Sequence, residues 1–299
     1  MKTKKQKRNS TQTLWAYFVE RTKSNVALFV LMAAYSVLSL GSSIYFMTQG
    51  NVRDILSCFV YFLIVPLFYV IERYMRIKVP MPYALFLMAF MTLNLIGAGY
   101  NLYFIFPPLD DCLHAMWGFV FMVFGFAVMK VLLGEPKNRK QLVVYVLFSV
   151  AFCALTAVIW EIYEFTWDEV SPTVDLQEDC IITGFNSFML HDPCDHLNTV
   201  KIDGIAYTIL YDAMGNEIYR IEGGYLDVGL KDTMWDMIWC TVSSVSTSVV
   251  IALDWCFGKK WIYNALIPKL REVPQEDNSG ENSDYADGGD RAEEVTATE

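Results

Sequence analysis

Six stretches of about 20 mostly apolar residues, near 26–47, 54–72, 83–106, 111–133, 142–164 and 234–256, dominate this chain. A helix of that length crosses the roughly 30 Å hydrocarbon core of a bilayer. Inside lipid each segment must satisfy its own backbone polar groups, which helices do and isolated strands do not. The pattern predicts an all-α membrane protein, a six-helix transmembrane bundle whose obligatory partner is the lipid bilayer. Composition agrees: 54% of the 299 residues are hydrophobic and the mean hydropathy is +0.31.

Lys and Arg flank alternate connections. The N-terminal head carries Lys2, Lys4, Lys5, Lys7 and Arg8, the second connection Arg73, Arg76 and Lys78, and the fourth Lys130, Lys137, Arg139 and Lys140. The last run is followed by Lys259, Lys260, Lys269 and Arg271. The positive-inside rule then places both termini in the cytoplasm and the whole chain in the plasma membrane as a multi-pass protein. Three regions follow: a basic cytoplasmic segment at 1–25, a transmembrane domain at 26–256 with an extracytoplasmic loop at 165–231, and a cytoplasmic tail at 257–299.

The net charge of −10 belongs to the tail. Ten Asp and Glu residues lie from Glu272 to Glu299, where Arg291 is the only base. Such a segment buries too little apolar surface to offset its chain entropy and is expected to be disordered from about residue 272. No basic patch with interleaved aromatics points to nucleic acid. The first apolar run is longer than a signal-peptide core and reads as a retained anchor. Within the head, residues 13–22 put Leu14, Trp15, Phe18 and Val19 on one helical face, either as a surface helix at headgroup level or as an extension of the first span.

The outer loop alternates polar and apolar residues over 208–212 and 217–221, predicting a β-hairpin that turns at Gly215-Asn216. A further strand is expected at 199–202. So small a sheet needs support from the bundle or a staple. Cys180 and Cys194 both fall in this loop, where an oxidising exterior permits a disulfide worth about 3 kcal/mol. His191, Cys194 and His196 with Cys180 offer a zinc alternative, at a spacing that matches no usual pattern.

Three polar pairs stand at the outer ends of the last three runs: Asp110 with His114, Glu161 with Glu164, and Asp232 with Asp236. Each pair has i, i+3 or i, i+4 spacing and so shares one helix face. Gly118 continues the Asp110–His114 stripe and would let a neighbouring helix approach. Trp160 and Trp235 would wall the space between. Carboxylates with one imidazole suit a divalent metal; without one, close carboxyl pairs share protons and suit acid–base work. The bland reading is a solvated polar network, with Asp232 or Asp236 capping the last helix. No glycine-rich phosphate loop, G-x-S-x-G or H-E-x-x-H occurs.

These residues resemble the YjdF-like family of bacterial multi-pass inner-membrane proteins. The likeness rests on D-x-x-x-H-x-x-x-G at Asp110 to Gly118, E-x-x-E at Glu161 to Glu164, and Gly224-Tyr225 followed by D-T-x-x-D-M at Asp232 to Met237. A fainter similarity is to VanZ-like membrane proteins, which share the order of acid–histidine, glutamate and aspartate. The resemblance implies a bacterial inner-membrane location and supplies no reaction. Three functions stay open: an outer-leaflet site that binds a divalent cation or acts on an envelope lipid headgroup, a small proton-coupled transporter, or a non-catalytic assembly protein.

Overall fold

The computed structural model describes residues 13–50, 52–100, 102–171, 175–190 and 197–271. The acidic tail, His191, Cys194 and His196 lie outside them. The helices are α1 Leu14–Ser24, α2 Val26–Gln49, α3 Val52–Tyr74, α4 Met81–Gly99, α5 Leu102–Ile105, α6 Leu109–Leu133, α7 Arg139–Val170, α8 Leu230–Cys256 and α9 Trp261–Leu266. Side-chain caps start several of them: Thr13, Asn25 and Asn138 accept from the backbone N–H of Ala16, Leu28 and Gln141.

Every expected apolar run is helical, and four helices (α2, α6, α7 and α8) are long and apolar enough to cross a membrane. The other two runs are less regular. α3 contains Pro66 and ends in the charged pair Glu72-Arg73. The run at 83–106 is two helices, α4 and α5. Gly97 lies against the ring of Tyr103 from α5, and Gly99 against Phe46. Asn94, a candidate for an interhelical bond, instead donates to Phe90 O of its own helix at 2.9 Å.

α6 lies at the centre. It packs on α7, α8 and α4, while α2, α3 and α4 form a second group. Its Met122, Val123, Phe126 and Ala127 are fully buried. Outward residues such as Val37, Leu147 and Val249 are exposed, as lipid-facing positions would be. Two glycines set the central spacing. A Cβ on Gly118 would fall 2.4 Å from Cys240 O on α8, and one on Gly125 would fall 3.0 Å from Ser149 Cα on α7. Close crossings of this kind are how helices associate where lipid supplies no hydrophobic drive.

The chain is not purely α-helical. Between α7 and α8, β2 Cys180–Ile182 pairs antiparallel with β7 Tyr225–Asp227 and closes the base of the loop. Inside that stem, β3 Phe185–Ser187 pairs with β4 Val200–Ile202, and β5 Tyr207–Tyr211 pairs with β6 Glu217–Glu222. The last pair is the expected hairpin. Its turn is held by Asp212, whose carboxylate accepts from Met214 N, Asn216 N and Asn216 Nδ2, with Gly215 at φ 84°.

At the opposite end, β1 Ile77–Lys78 pairs with β8 Lys269–Leu270, a contact no sequence pattern announced. Here α1 is a separate helix, broken from α2 at Asn25. Its buried residues are Tyr17 and Arg21, not the apolar face expected to turn down. Arg21 Nε and Nη2 donate to the two oxygens of Glu72 at 2.9 and 3.0 Å. Tyr17 Oη and Val79 N donate to the same carboxylate at 2.8 and 2.7 Å. Glu72 is fully buried and fully satisfied.

Substitutions at Gly118 and at the Arg21–Glu72 pair test this packing by thermal unfolding in detergent. Gly118→Ala drives a methyl into the α8 backbone and is expected to cost about 1–3 kcal/mol, while Gly41→Ala, with open space around it, leaves stability unchanged or slightly raised. Arg21→Ala, which strands the Glu72 charge, is expected to cost about 3–5 kcal/mol; adding Glu72→Met to it should recover part of that loss.

Candidate functional site

The first turns of α6 carry Asp110 and His114 on one stripe, and the glycine one turn deeper brings α8 alongside. α7 completes the set from the other side. His114 Nε2 lies 3.8 Å from Asp110 Oδ2 and 3.8 Å from Asp236 Oδ2, and its Nδ1 lies 3.8 Å from Glu161 Oε1. These contacts are longer than hydrogen bonds. The ligand atoms of Asp110, His114 and Asp236 all fall within 4.8 Å of one another. Three helices thus converge on one imidazole.

These groups are buried. His114 and Glu161 are each 6% exposed and Asp236 is 1% exposed. Both carboxylate oxygens of Glu161 and Oδ2 of Asp236 are buried with no hydrogen-bond partner. Among the described residues, no Lys or Arg forms an ion pair with Asp110, Glu161 or Asp236. Lys231, the adjacent base in sequence, is exposed, and its backbone N–H donates to Asp227 Oδ2. An uncompensated buried charge costs several kcal/mol, so the cluster must hold protons or a cation.

Cys240, one turn below Asp236, forms the floor. Its Sγ donates to His114 O at 3.1 Å and lies 4.0 Å from His114 Nδ1. Cys153 Sγ donates to Gly118 O at 3.6 Å. Deeper along α8, Ser244 and Ser248 spend their hydroxyls on carbonyls of their own helix. With Gly118 pressed on the Cys240 carbonyl, the seam beneath the site is closed.

The loop between α7 and α8 forms the roof. Asp168 near the end of α7 accepts from Leu176 N and Gln177 N at 2.7 and 2.9 Å. Gln177 is buried, and its Nε2 donates to Thr233 Oγ1 on α8. It lies against Gly229, whose φ of 93° and lack of a Cβ permit the contact. Partial burial, and then the neighbouring Asp111, push the Glu178 carboxyl above its usual range.

Of the residues singled out in the sequence, Asp110, His114, Glu161 and Asp236 come together. Asp232 does not join them as a partner of His114, because its Oδ2 accepts from Glu178 N at 2.9 Å. Nor do Asp232 and Asp236 cap α8: the N-cap is Gly229, without a side-chain bond. Glu164 is half-buried beside Trp160, one turn outward from Glu161. Trp160 packs on Trp117 at 5.4 Å between ring centroids, whereas Trp235 is 49% exposed and does not wall the cluster. Cys180 is a free thiol that donates to Asp227 Oδ2 at 3.8 Å, and Cys194 lies outside the described residues. Cys240 was legible as the i+4 continuation of the Asp236 stripe; Gln177 and Asp168 carried no such signal.

Four membrane-length helices and a buried acid–histidine cluster define a helical membrane protein with an ionisable site near one end of the bundle. The chain belongs to the family of predicted membrane proteins designated DUF2238, whose profile matches residues 27–255. The YjdF-like resemblance is consistent with this, the two being one family, and the VanZ-like likeness is not shown. No curated protein and no solved structure matches the chain.

The roof can be tested by limited proteolysis. Asp168→Ala removes two hydrogen bonds to a charged acceptor, each worth about 1.5–3 kcal/mol. Cleavage within 175–179 should then accelerate roughly tenfold or more, with the helical bundle still resisting digestion.

Proposed function

We propose that this is a six-span plasma-membrane protein with both termini in the cytoplasm, whose loop-end cluster binds a divalent cation in the outer leaflet. The observation that carries the reading is the burial, around His114, of both Glu161 carboxylate oxygens and of Asp236 Oδ2 with no hydrogen-bond partner. Structural carboxylates find donors. Asp110 and Asp236 converge with His114 within 4.8 Å, and no Lys or Arg among the described residues pairs with them or with Glu161.

The imidazole divides the roles. On its Nε2 side stand Asp110 and Asp236, so the ligand set is His114 Nε2 with one oxygen from each aspartate. On its Nδ1 side stands Glu161, which an approach from 3.8 Å would let accept the Nδ1 proton and keep Nε2 free for the ion, the usual support of a metal-ligating histidine. One imidazole with carboxylates suits Zn²⁺, Mn²⁺ or Fe²⁺. An ion held there supplies Lewis-acid polarisation of a phosphoryl or carbonyl oxygen. Glu164 and Asp232 lie at the edge of this set and are assigned no direct bond to it.

The closed seam below His114 weighs against a permeation path, so the transporter reading is not preferred. Metal analysis of the purified full chain, followed by titration with Zn²⁺ and Mn²⁺, tests the proposal. Wild type is expected to bind one equivalent. His114→Ala and Asp236→Asn should abolish binding, and Glu161→Gln should weaken it about 10–100-fold while keeping the stoichiometry. A metal-free wild type that takes up neither ion removes the proposal and leaves a proton shared between Asp110 and Asp236.

A further inference from the structure

One flank of the cluster differs from the rest. The roof covers it from above, the α6–α8 seam closes it below, and α7 and α8 bury Glu161 and Asp236. Asp110 is the opening: its side chain is 23% exposed, against 2–7% for Asp236, Glu161 and His114.

An aromatic strip descends from that opening. Tyr163 lies 5.2 Å from Trp160 between ring centroids, Trp160 lies 5.4 Å from Trp117, and Trp117 stacks on Phe121 at 4.3 Å. None of the four is buried. Aromatic side chains at headgroup depth need no special explanation. Phe121, however, is eleven residues beyond Asp110 on the same helix, roughly 16 Å further along it, which is about the bilayer midplane. The strip therefore runs from the charged site toward the midplane, exposed at Tyr163 and part-exposed at Trp160, Trp117 and Phe121, with Trp117 also edge-on to Phe90 of α4.

We infer that a phosphate-bearing lipid of the outer leaflet binds on this flank, entering sideways from the bilayer, with its phosphate on the bound cation and its chain along the Trp160–Trp117 strip. The inference rests on the cation reading. Charge supports it: carboxylates alone would repel a phosphate, whereas a divalent ion among them offers it a partner. The polar end over an apolar strip has the shape of an amphiphile already oriented in the membrane. A soluble solute arriving from above would meet the roof.

The test uses the full chain in nanodiscs containing phosphatidylglycerol, with Mn²⁺ or with EDTA, and counts lipid retained per chain by native mass spectrometry. Mn²⁺ binding is measured separately on the same samples. With Mn²⁺, wild type should retain one phosphatidylglycerol. Tyr163→Ala and Trp160→Phe should each cut retention, the first by roughly fivefold, the scale of one lost aromatic contact. Their Mn²⁺ affinity should stay within about twofold of wild type, since neither touches the ligands. Val144→Ala, elsewhere on the lipid-facing side of α7, should retain lipid normally.

Retention that both strip variants leave unchanged overturns the lateral site even where Mn²⁺ is bound. Retention that persists undiminished in EDTA overturns the phosphate bridge and points to an amine headgroup on the carboxylates. Failure of wild type to bind Mn²⁺ counts against the preceding proposal, and is read independently of the lipid count.

Discussion

The approach of α6 to α8 at Gly118 governs the loop end of the molecule. With hydrogen in place of a methyl, the Cys240 carbonyl can sit where a Cβ would otherwise stand. That spacing lets the Cys240 thiol reach His114 O, and it sets Asp236 beside the imidazole. Gly125 does the same toward α7, and α7 in turn delivers Glu161. In hydrocarbon two helices gain little from hiding apolar surface, so contact distance is the main lever on their association. Small residues on α6 are therefore as much a part of the cluster as the acids themselves.

Two buried glutamates in the same chain show why the cluster is read as a site. Glu72 accepts from an arginine, a tyrosine and a backbone N–H, and every donor comes from an element it ties to α3. It holds α1 and the strand at Ile77–Lys78 against the bundle. Glu161 is nearly as buried and accepts from nothing. The cost of burying a carboxylate is similar at both places. At Glu72 that cost is offset by donors that also build the fold; at Glu161 neither oxygen has a donor at hydrogen-bond geometry.

Much of this was legible in the sequence, because helix periodicity and span length are strong signals. Each apolar run is helical, the one at 83–106 as two helices, and the i, i+4 stripes of α6 and α8 pointed to Asp110, His114, Gly118 and Asp236, which the fold brings close together. The hairpin around Gly215-Asn216 was legible for the same reason, its alternation being local. What failed was non-local. The β1–β8 pair joins residues about 190 positions apart through two residues each, too few for any period. Asp232 looked like a cap because it stands in the first turn, but Glu178, from a loop with no regular pattern, claimed it. Trp235 shares its helix with Asp236 yet is neighbouring in sequence, and adjacent positions on a helix diverge by about 100°.

The same angular reasoning explains the division of labour around His114. An imidazole is rigid, with its nitrogens on different edges, so what each edge faces is set by the helix that approaches it. α8 arrives beside α6 on the Nε2 edge, where Asp110 of α6 itself also stands; α7 arrives on the Nδ1 edge and brings one carboxylate. The backbone carbonyl of His114 is meanwhile fixed by the Cys240 thiol from below. The ring is therefore positioned by packing and by its own main chain, not by hydrogen bonds from the acids, which all stop at 3.8 Å. The Nδ1 edge meets the Cys240 thiol at 4.0 Å, while the two aspartates on the Nε2 edge stop short of a hydrogen bond. That leaves Nε2 as the edge at which a ligand would make its bond.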